Sequence, residues 1–344
     1  MRKMNRWLVA GLALLMTVVF GSQHVKAASS SEAVPLSVIP VTNKYQVNVN
    51  SGFYDLEMKP GESTEIQVKL ANSGKKAITV NLQTVAATTD ASSHISYTET
   101  DKKYDNSSKY PLPTLFNIPK SYQHLTIPGY SSALFHMPMT MPKTAFKGIL
   151  LGALRVTPVT KTSTSAGIHN TYGYSVAIRL SNGTSTQPNL RLKNVVVDHN
   201  FSGTTVDSTL QNFEASMLRN GTINTKITKR GQNRTLKALQ INKASAAPNS
   251  TWTVKTPWEG TVAPGDYTMH VTYTSTDPQF SGTKVWKFSR NFHISTVDAA
   301  RYNLSQMNIP WWVYAILALI LLLLIIVIIL LFKRRKEAKR RVEK

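Results

Sequence analysis

The sequence predicts an all-β ectodomain of two immunoglobulin-like β-sandwiches, followed by one transmembrane α-helix. Short runs of alternating apolar and polar residues recur from residue 45 to about residue 300, and this is the pattern of half-buried strands. No stretch in that region has the long apolar stripe of an amphipathic helix. Near the C-terminus, residues 311–332 contain no charged side chain, and this run is long enough to cross a bilayer as a helix.

Residues 1–27 have the three parts of a secretory signal peptide. Basic residues precede the apolar run 7–20, and a small-residue cleavage site ends at Ala27. We therefore expect cleavage after Ala27. The alternative is a retained signal anchor, and the shortness of the apolar run argues against it. Residues 28–44 are expected to form a short polar leader.

The first sandwich is predicted over residues 45–181. Alternating runs at 66–70 and 78–82 predict half-buried strands, and the strongly apolar run 149–156 predicts another strand. Pro60-Gly61 suits the two central positions of a type II turn.

Residues 99–148 differ from the rest of this sandwich because prolines recur and strand signals thin out. Long loops on a sandwich are often functional, and exposed tyrosine rings stack well on sugars or peptides. The candidate glycan or protein contacts are therefore the tyrosines of this stretch: Tyr104, Tyr110, Tyr122 and Tyr130. The alternative, that these rings pack inward and fix the loop, is left open by the sequence.

Small polar residues at 182–188 predict a linker to a second sandwich over residues 189–296. Seven short strand candidates separated by turns over about a hundred residues favour an immunoglobulin-like sandwich. Residues 297–309 then form a short stalk.

Residues 310–332 are predicted to be the transmembrane helix of a single-pass protein whose N-terminus is outside the cell. The residues expected to anchor it are the aromatic ones at its two ends, Trp311, Trp312, Tyr314 and Phe332. The tail 333–344 is expected to be cytoplasmic, because basic residues that flank a span stay on that side. The topology-determining residues are the first four of the tail, Lys333, Arg334, Arg335 and Lys336. These features predict a cell-membrane protein whose ectodomain faces the wall and the exterior.

The composition excludes several kinds of chemistry. The chain has no cysteine, which rules out thiol nucleophiles and cysteine metal sites and favours a Gram-positive bacterial surface over a eukaryotic ectodomain. Its 8 histidines are scattered without metal-ligand spacing, and it has no nucleophile elbow or phosphate-binding glycine loop. We therefore predict that the protein is not an enzyme and that it holds no metal or cofactor.

The net charge of +22 bears on the partners of the protein. The basic residues are dispersed rather than gathered in a stripe, which argues against nucleic acid. Outside a cell the available polyanions are wall polymers, anionic lipid and host glycans. The charge is therefore expected either to attract such polymers or to keep the surface solvated.

Several motifs resemble those of the WxL-interacting protein family of Gram-positive bacterial surfaces. They lie at 53–61, 137–142, 146–152, 246–250 and 258–267, and their order along the chain is the main feature of the resemblance. One position departs from the family pattern, since Lys147 stands where an acidic residue is expected, while Gly148 keeps its role in a turn.

The resemblance implies an N-terminal domain that binds peptidoglycan and a second domain that binds host surfaces. It also implies secreted WxL-domain proteins as partners. The function expected from it is a membrane-anchored surface scaffold or adhesin that binds wall glycan, these secreted proteins and host extracellular proteins. One alternative is an accessory or sensor subunit of a membrane complex, and another is a wall-modifying enzyme, which the lack of a catalytic constellation disfavours.

Overall fold

The computed structural model describes residues 34–98, 103–159, 173–305 and 311–342. The predicted signal peptide, residues 1–27, lies outside these ranges. Most of the described chain is β-structure, and two helices follow the last strand. The prediction of an all-β fold is therefore confirmed for the described residues that precede these two helices.

The first unit of the structure is a pair of facing sheets. One has the strand order β1-β3-β8, and the other has the order β2-β10-β9-β4-β7, while β5 and β6 form a separate hairpin. The strands are β1 (Leu36–Pro40), β2 (Tyr54–Glu57), β3 (Ser63–Asn72), β4 (Ile78–Ala86), β5 (Thr88–Thr89), β6 (Ile95–Ser96), β7 (Leu125–Ile127), β8 (Ser131–Thr140), β9 (Ile149–Pro158) and β10 (Tyr174–Ser181). The segment expected to be a leader, 28–44, contributes β1, which pairs with β3.

The first core follows from the alternation seen in the sequence. Side chains of β3 and β4 such as Ile66, Val68 and Val80 are fully buried between the two sheets. Strand β9 is apolar on both faces, which explains its unbroken apolar sequence. Leu150 and Leu154 enter the core of this unit, whereas Ile149, Leu151 and their neighbours form a cluster on the opposite face.

The stretch 99–148 has more regular structure than the sequence predicts. It contains two 3-10 turns, Leu112–Leu115 and Lys120–His124, followed by β7 and the ten-residue strand β8. Strand β8 pairs with β3 and carries Pro138 at the edge of its sheet. Proline is tolerated at an edge because no neighbour needs its missing N–H. Because proline is rare in strands, Pro138 is also the reason why the sequence does not predict β8.

The second unit is also a pair of sheets, with the strand orders β11-β12-β15 and β14-β13-β16-β17. Its strands are β11 (Leu190–Asn200), β12 (Gly203–Asn212), β13 (Leu218–Lys229), β14 (Thr235–Ala246), β15 (Ser250–Pro257), β16 (Gly265–Ser275) and β17 (Lys284–Ile294). All pairs within it are antiparallel. Trp252, Trp258 and Trp286 are buried in its core.

Two helices complete the described chain, α1 (Thr296–Ser305) and α2 (Trp311–Val342). Helix α1 begins after Ser295, whose Oγ accepts a hydrogen bond of 3.0 Å from the backbone N–H of Asp298. This is the geometry of an N-cap. Ala299 attaches the helix to the core of the second unit.

The prediction of a transmembrane helix over 310–332 requires correction. Crossing a bilayer takes about 20 consecutive apolar residues. The side chains of residues 315–331 of α2 are exposed. Within the residues that the structure describes, no helix is long and apolar enough to span a membrane. The fold is therefore a pair of β-sandwich units with two C-terminal helices, without an identified span.

Candidate functional site

The two β units meet through the hairpin β5–β6 of the first unit. Thr89 Oγ1 lies 2.6 Å from Ser250 Oγ, and both side chains are buried. The indole N–H of Trp252 donates a hydrogen bond of 3.1 Å to Ser93 Oγ in the turn of the hairpin. These buried contacts fix the hairpin against the second unit.

An apolar cluster and a close backbone contact add to this junction. Ile149 and Leu151 of β9 pack against Ala247 of the second unit. At the start of β9, Gly148 has φ +86°, and a Cβ added there would lie 2.1 Å from the carbonyl oxygen of Ala215. The backbone N–H of Ile149 donates to that same oxygen at 2.7 Å. Glycine is therefore required at position 148 for the two backbone segments to approach this closely.

Beside this junction lies a cleft with a volume of about 450 Å³. The first unit lines it with residues 86–88, 103–106, 108, 110–112 and 149–151, and the second unit lines it with Lys193 and residues 248–251. We call this hollow the junction cleft. Its volume is in the range of pockets that bind small molecules or polymer segments.

Asp105 holds one wall of the junction cleft in place. Its carboxylate accepts hydrogen bonds of 2.5 Å from Gln211 Nε2 and 2.5 Å from Thr251 Oγ1, both of the second unit. It also accepts bonds from the N–H and the hydroxyl of Ser107 at 2.9 and 2.7 Å. Partial burial acts to raise the pKa of Asp105, but these hydrogen bonds outweigh burial and lower the pKa below its usual value.

Asn249 fastens the same wall from the opposite side. Its amide donates to the backbone carbonyl of Ser107 at 3.0 Å and to that of Phe213 at 3.1 Å. The loop that contains Tyr104 is therefore held at both Asp105 and Ser107, although residues 99–102 lie outside the described chain.

Two of the four tyrosines predicted as contacts line the junction cleft. Tyr104 is partly buried there, and desolvation raises the pKa of its hydroxyl. Tyr110 lines the cleft and also packs against Phe146, with the ring centroids 6.2 Å apart. Lys109 Nζ lies 5.1 Å from the centroid of the Tyr110 ring.

The other two tyrosines lie elsewhere. The ring of Tyr122 meets Phe135 edge to face at 5.4 Å, and its hydroxyl donates to the backbone carbonyl of His136 at 3.3 Å. Tyr130 is 74% exposed at a turn with φ 53° and lines no part of the cleft. The structure thus separates the four tyrosines into two that share a site and two that do not.

The residues predicted to anchor and orient a membrane span all lie in helix α2. Trp312 is exposed there. The side chains outside the described set are those of Trp311, Tyr314, Phe332, Lys333, Arg334, Arg335 and Lys336.

The chemistry of the junction cleft is that of a binding site. Lys103 and Lys193 lie on opposite units at its rim, and both are exposed. Thr88 Oγ1 is buried in this region, and no hydrogen-bond partner for it is among the described residues. Nor does the described part of the chain hold any group of three or more residues that could bind a metal ion. The cleft therefore offers aromatic faces, two lysine ammonium groups beside the Asp105 carboxylate, and polar groups.

Sequence reasoning does not identify Asp105, Lys193 or Asn249 as parts of this site. Asp105 bonds to residues that lie 106 and 146 positions away in the chain. No local motif encodes such a contact, since it depends on how the two units dock.

Comparisons with known proteins agree with the two-unit architecture. A family model described as "WxL Interacting Protein, peptidoglycan binding domain" matches residues 36–158. A second model, "WxL Interacting Protein, host binding domain", matches residues 163–304. No functionally curated protein matches the chain.

Several solved structures are similar at low identity. The CupB2 chaperone of Pseudomonas aeruginosa is 9% identical, with 65% of this chain and 91% of that chain covered and a TM-score of 0.26. The SafA pilin–SafB chaperone complex of Salmonella enterica is 9% identical, with 69% of this chain and 98% of that chain covered and a TM-score of 0.29. A PapD-like domain of human CEP192 is 12% identical, with 48% of this chain and 97% of that chain covered and a TM-score of 0.28. These values are too low to support an argument about fold or function.

Proposed function

The chain belongs to the WxL-interacting protein family, and we propose on this basis that it holds peptidoglycan of the cell wall in the junction cleft. Membership gives the chain a peptidoglycan-binding domain and a host-binding domain, and hence a binding role at the cell surface. The assignment of peptidoglycan to this particular cleft is the proposal.

The observation that carries the proposal is the combination of Tyr104 and Tyr110 with lysines from both units in one cleft. Peptidoglycan consists of sugar rings, whose apolar faces stack on aromatic side chains. It also carries carboxylates on its peptide stems, which Lys103 and Lys193 would attract. Stacking would provide affinity that survives salt, whereas the lysines would add a part that salt screens.

The remaining partners are proposed from family membership alone. Host surface molecules would bind the unit that matches the host-binding model. Secreted WxL-domain proteins are proposed as partners of the protein without assignment to either unit. Both matched models describe binding domains, which supports a role without catalysis.

The experiment is a pull-down of the purified full chain on insoluble peptidoglycan, washed at low and at high salt. We expect Tyr104→Ala to weaken retention by about tenfold, the effect of removing one well-packed aromatic contact. Tyr130→Ala is the matched control, because this exposed tyrosine lies outside the cleft.

Equal retention of both variants and the unchanged chain would refute the assignment of the ligand to the cleft. Retention that disappears at high salt in all three would reduce the interaction to bulk charge.

A further inference from the structure

A second hollow of about 410 Å³ lies within the first unit, and we call it the β4 groove. Residues Asn81–Thr84 form one side of it, and the turns from Pro113 to His124 form the other. It shares no lining residue with the junction cleft, which begins two residues further along at Ala86. On the opposite side, the groove ends at Pro113 and the cleft at Leu112. The two hollows therefore follow one another along β4.

The edge of β4 has no strand partner where it borders this groove. Strand β7 pairs only with Ile78–Val80, so the strand has no sheet partner on that edge from Asn81 onward. Alternate residues of an antiparallel strand direct both their N–H and C=O groups toward such an edge. Backbone groups on this edge of β4 from Asn81 onward therefore have no partner strand.

Several polar side chains of the β4 groove have no hydrogen-bond partner within the described part of the chain. Asn81, Gln83, Gln123 and His124 line it, and no side-chain hydrogen bond is found for them among the described residues. The Oδ1 atom of Asn81 is buried and has no hydrogen-bond partner there. A buried acceptor without a partner is costly in a folded protein, and a ligand that donates a hydrogen bond there would remove this cost.

The groove carries no formal charge of its own, in contrast to the junction cleft. None of its lining residues is Lys, Arg, Asp or Glu, and His124 is its single titratable group. Phe116 and Ile118 supply an apolar surface beside the amides. This combination suits a neutral ligand that has one apolar face and several hydrogen-bonding groups.

An acetamido sugar has these properties. Its acetamido group offers one N–H donor and one C=O acceptor, which match both the unpaired strand edge and the side-chain amides. A peptide added as a further strand would need a clear lane about 4.8 Å from β4. The turn Lys120–His124 packs beside β4 on this side and restricts such a lane.

We infer that the β4 groove is a saccharide subsite for neutral acetamido sugars and that it extends the junction cleft along β4. The identity of the polymer rests on the proposed function, whereas the groove and its chemistry do not. At a strand rise of about 3.3 Å per residue, the track from Asn81 to Thr88 is roughly 23 Å long. A linear glycan would place neutral sugars in the groove and acidic substituents in the cleft.

The test measures binding of a chitin tetrasaccharide, a neutral chain of N-acetylglucosamine, to the full chain by titration calorimetry. We expect Gln83→Ala and Gln123→Ala each to weaken this binding roughly fivefold, as loss of one neutral hydrogen bond does. Gln232→Ala is the matched control, because Gln232 is exposed in a turn of the second unit. Its affinity is expected to equal that of the unchanged chain.

The outcomes separate this inference from the proposed function. If the tetrasaccharide does not bind, or if Gln83→Ala and Gln123→Ala bind it as the unchanged chain does, the saccharide subsite is refuted, whatever Tyr104→Ala does to peptidoglycan retention. If the two glutamine variants weaken tetrasaccharide binding while Tyr104→Ala retains peptidoglycan normally, the groove stands and the cleft assignment fails. Displacement of the tetrasaccharide by a free stem peptide would also refute the subsite, because it would show that the groove takes peptide.

Discussion

Replacing Gly148 with alanine tests whether the two units dock as described. Gly148 has φ +86°, and its Cβ would meet the carbonyl oxygen of Ala215 at 2.1 Å and Thr186 Cγ2 at 2.8 Å. Gly260 provides a matched control, because its φ is +77° and an added Cβ would meet nothing within 4 Å. Both variants carry the backbone cost of alanine, and only one carries the collision.

The expected magnitudes follow from these two environments. Alanine in the left-handed region costs about 1–2 kcal/mol at either position. At Gly148 the second unit must also move by about an ångström, and strain from overpacking costs about 1–3 kcal/mol. The movement breaks the hydrogen bond from Ile149 N–H to Ala215, which contributes about 1 kcal/mol. Gly148→Ala should therefore lose about 2–4 kcal/mol more than Gly260→Ala.

This difference in the free energy of unfolding is measured by urea unfolding of the full chain, with tryptophan fluorescence as the signal. The unfolding midpoint of Gly148→Ala should fall well below that of Gly260→Ala. Peptidoglycan retention should fall with it, because the docked units form the junction cleft. Equal midpoints for the two variants would refute the close approach of residue 148 to Ala215, and with it the described junction.

Three further changes test other contacts. Folding holds the pKa of Asp105 below 3.8. The carboxylate therefore stabilises the fold above pH 3.8, and this stabilisation is lost as the pH falls through the lowered pKa. Unfolding midpoints measured at decreasing pH should show this loss in the unchanged chain and a smaller loss in Asp105→Asn. Trp252→Phe removes the indole N–H bonded to Ser93 and should cost about 1–2 kcal/mol in urea unfolding, while a loss near zero would mean that the hairpin is not held there. Arg219→Ala removes the ion-pair partner of the buried Asp277 carboxylate. Because the Arg219 side chain is half exposed, thermal unfolding should show a loss of about 1–2 kcal/mol, which Arg219→Lys should partly restore if the charge is responsible.

The proline-rich stretch shows where sequence reasoning stops. Two of its tyrosines line the cleft and two do not, although all four lie in the same proline-rich stretch. The local sequence shows that an aromatic side chain is available for a contact. The direction in which its ring points depends on the elements packed around it. Strand β8 was concealed for a related reason, since an edge position allows a proline that a central strand would reject.

The sequence by itself determined the all-β class, the succession of two β units and the family. Alternation with period two and turn residues at fixed positions are local properties. They can be recognised from the order of the residues alone, before the fold is known. Only the tertiary structure decided the site. The junction cleft requires Asp105 to meet Gln211 and Thr251, and the β4 groove requires the turns near residue 120 to pack beside Asn81. Contacts between residues so far apart in the chain arise from packing of the apolar faces, and no local pattern records them.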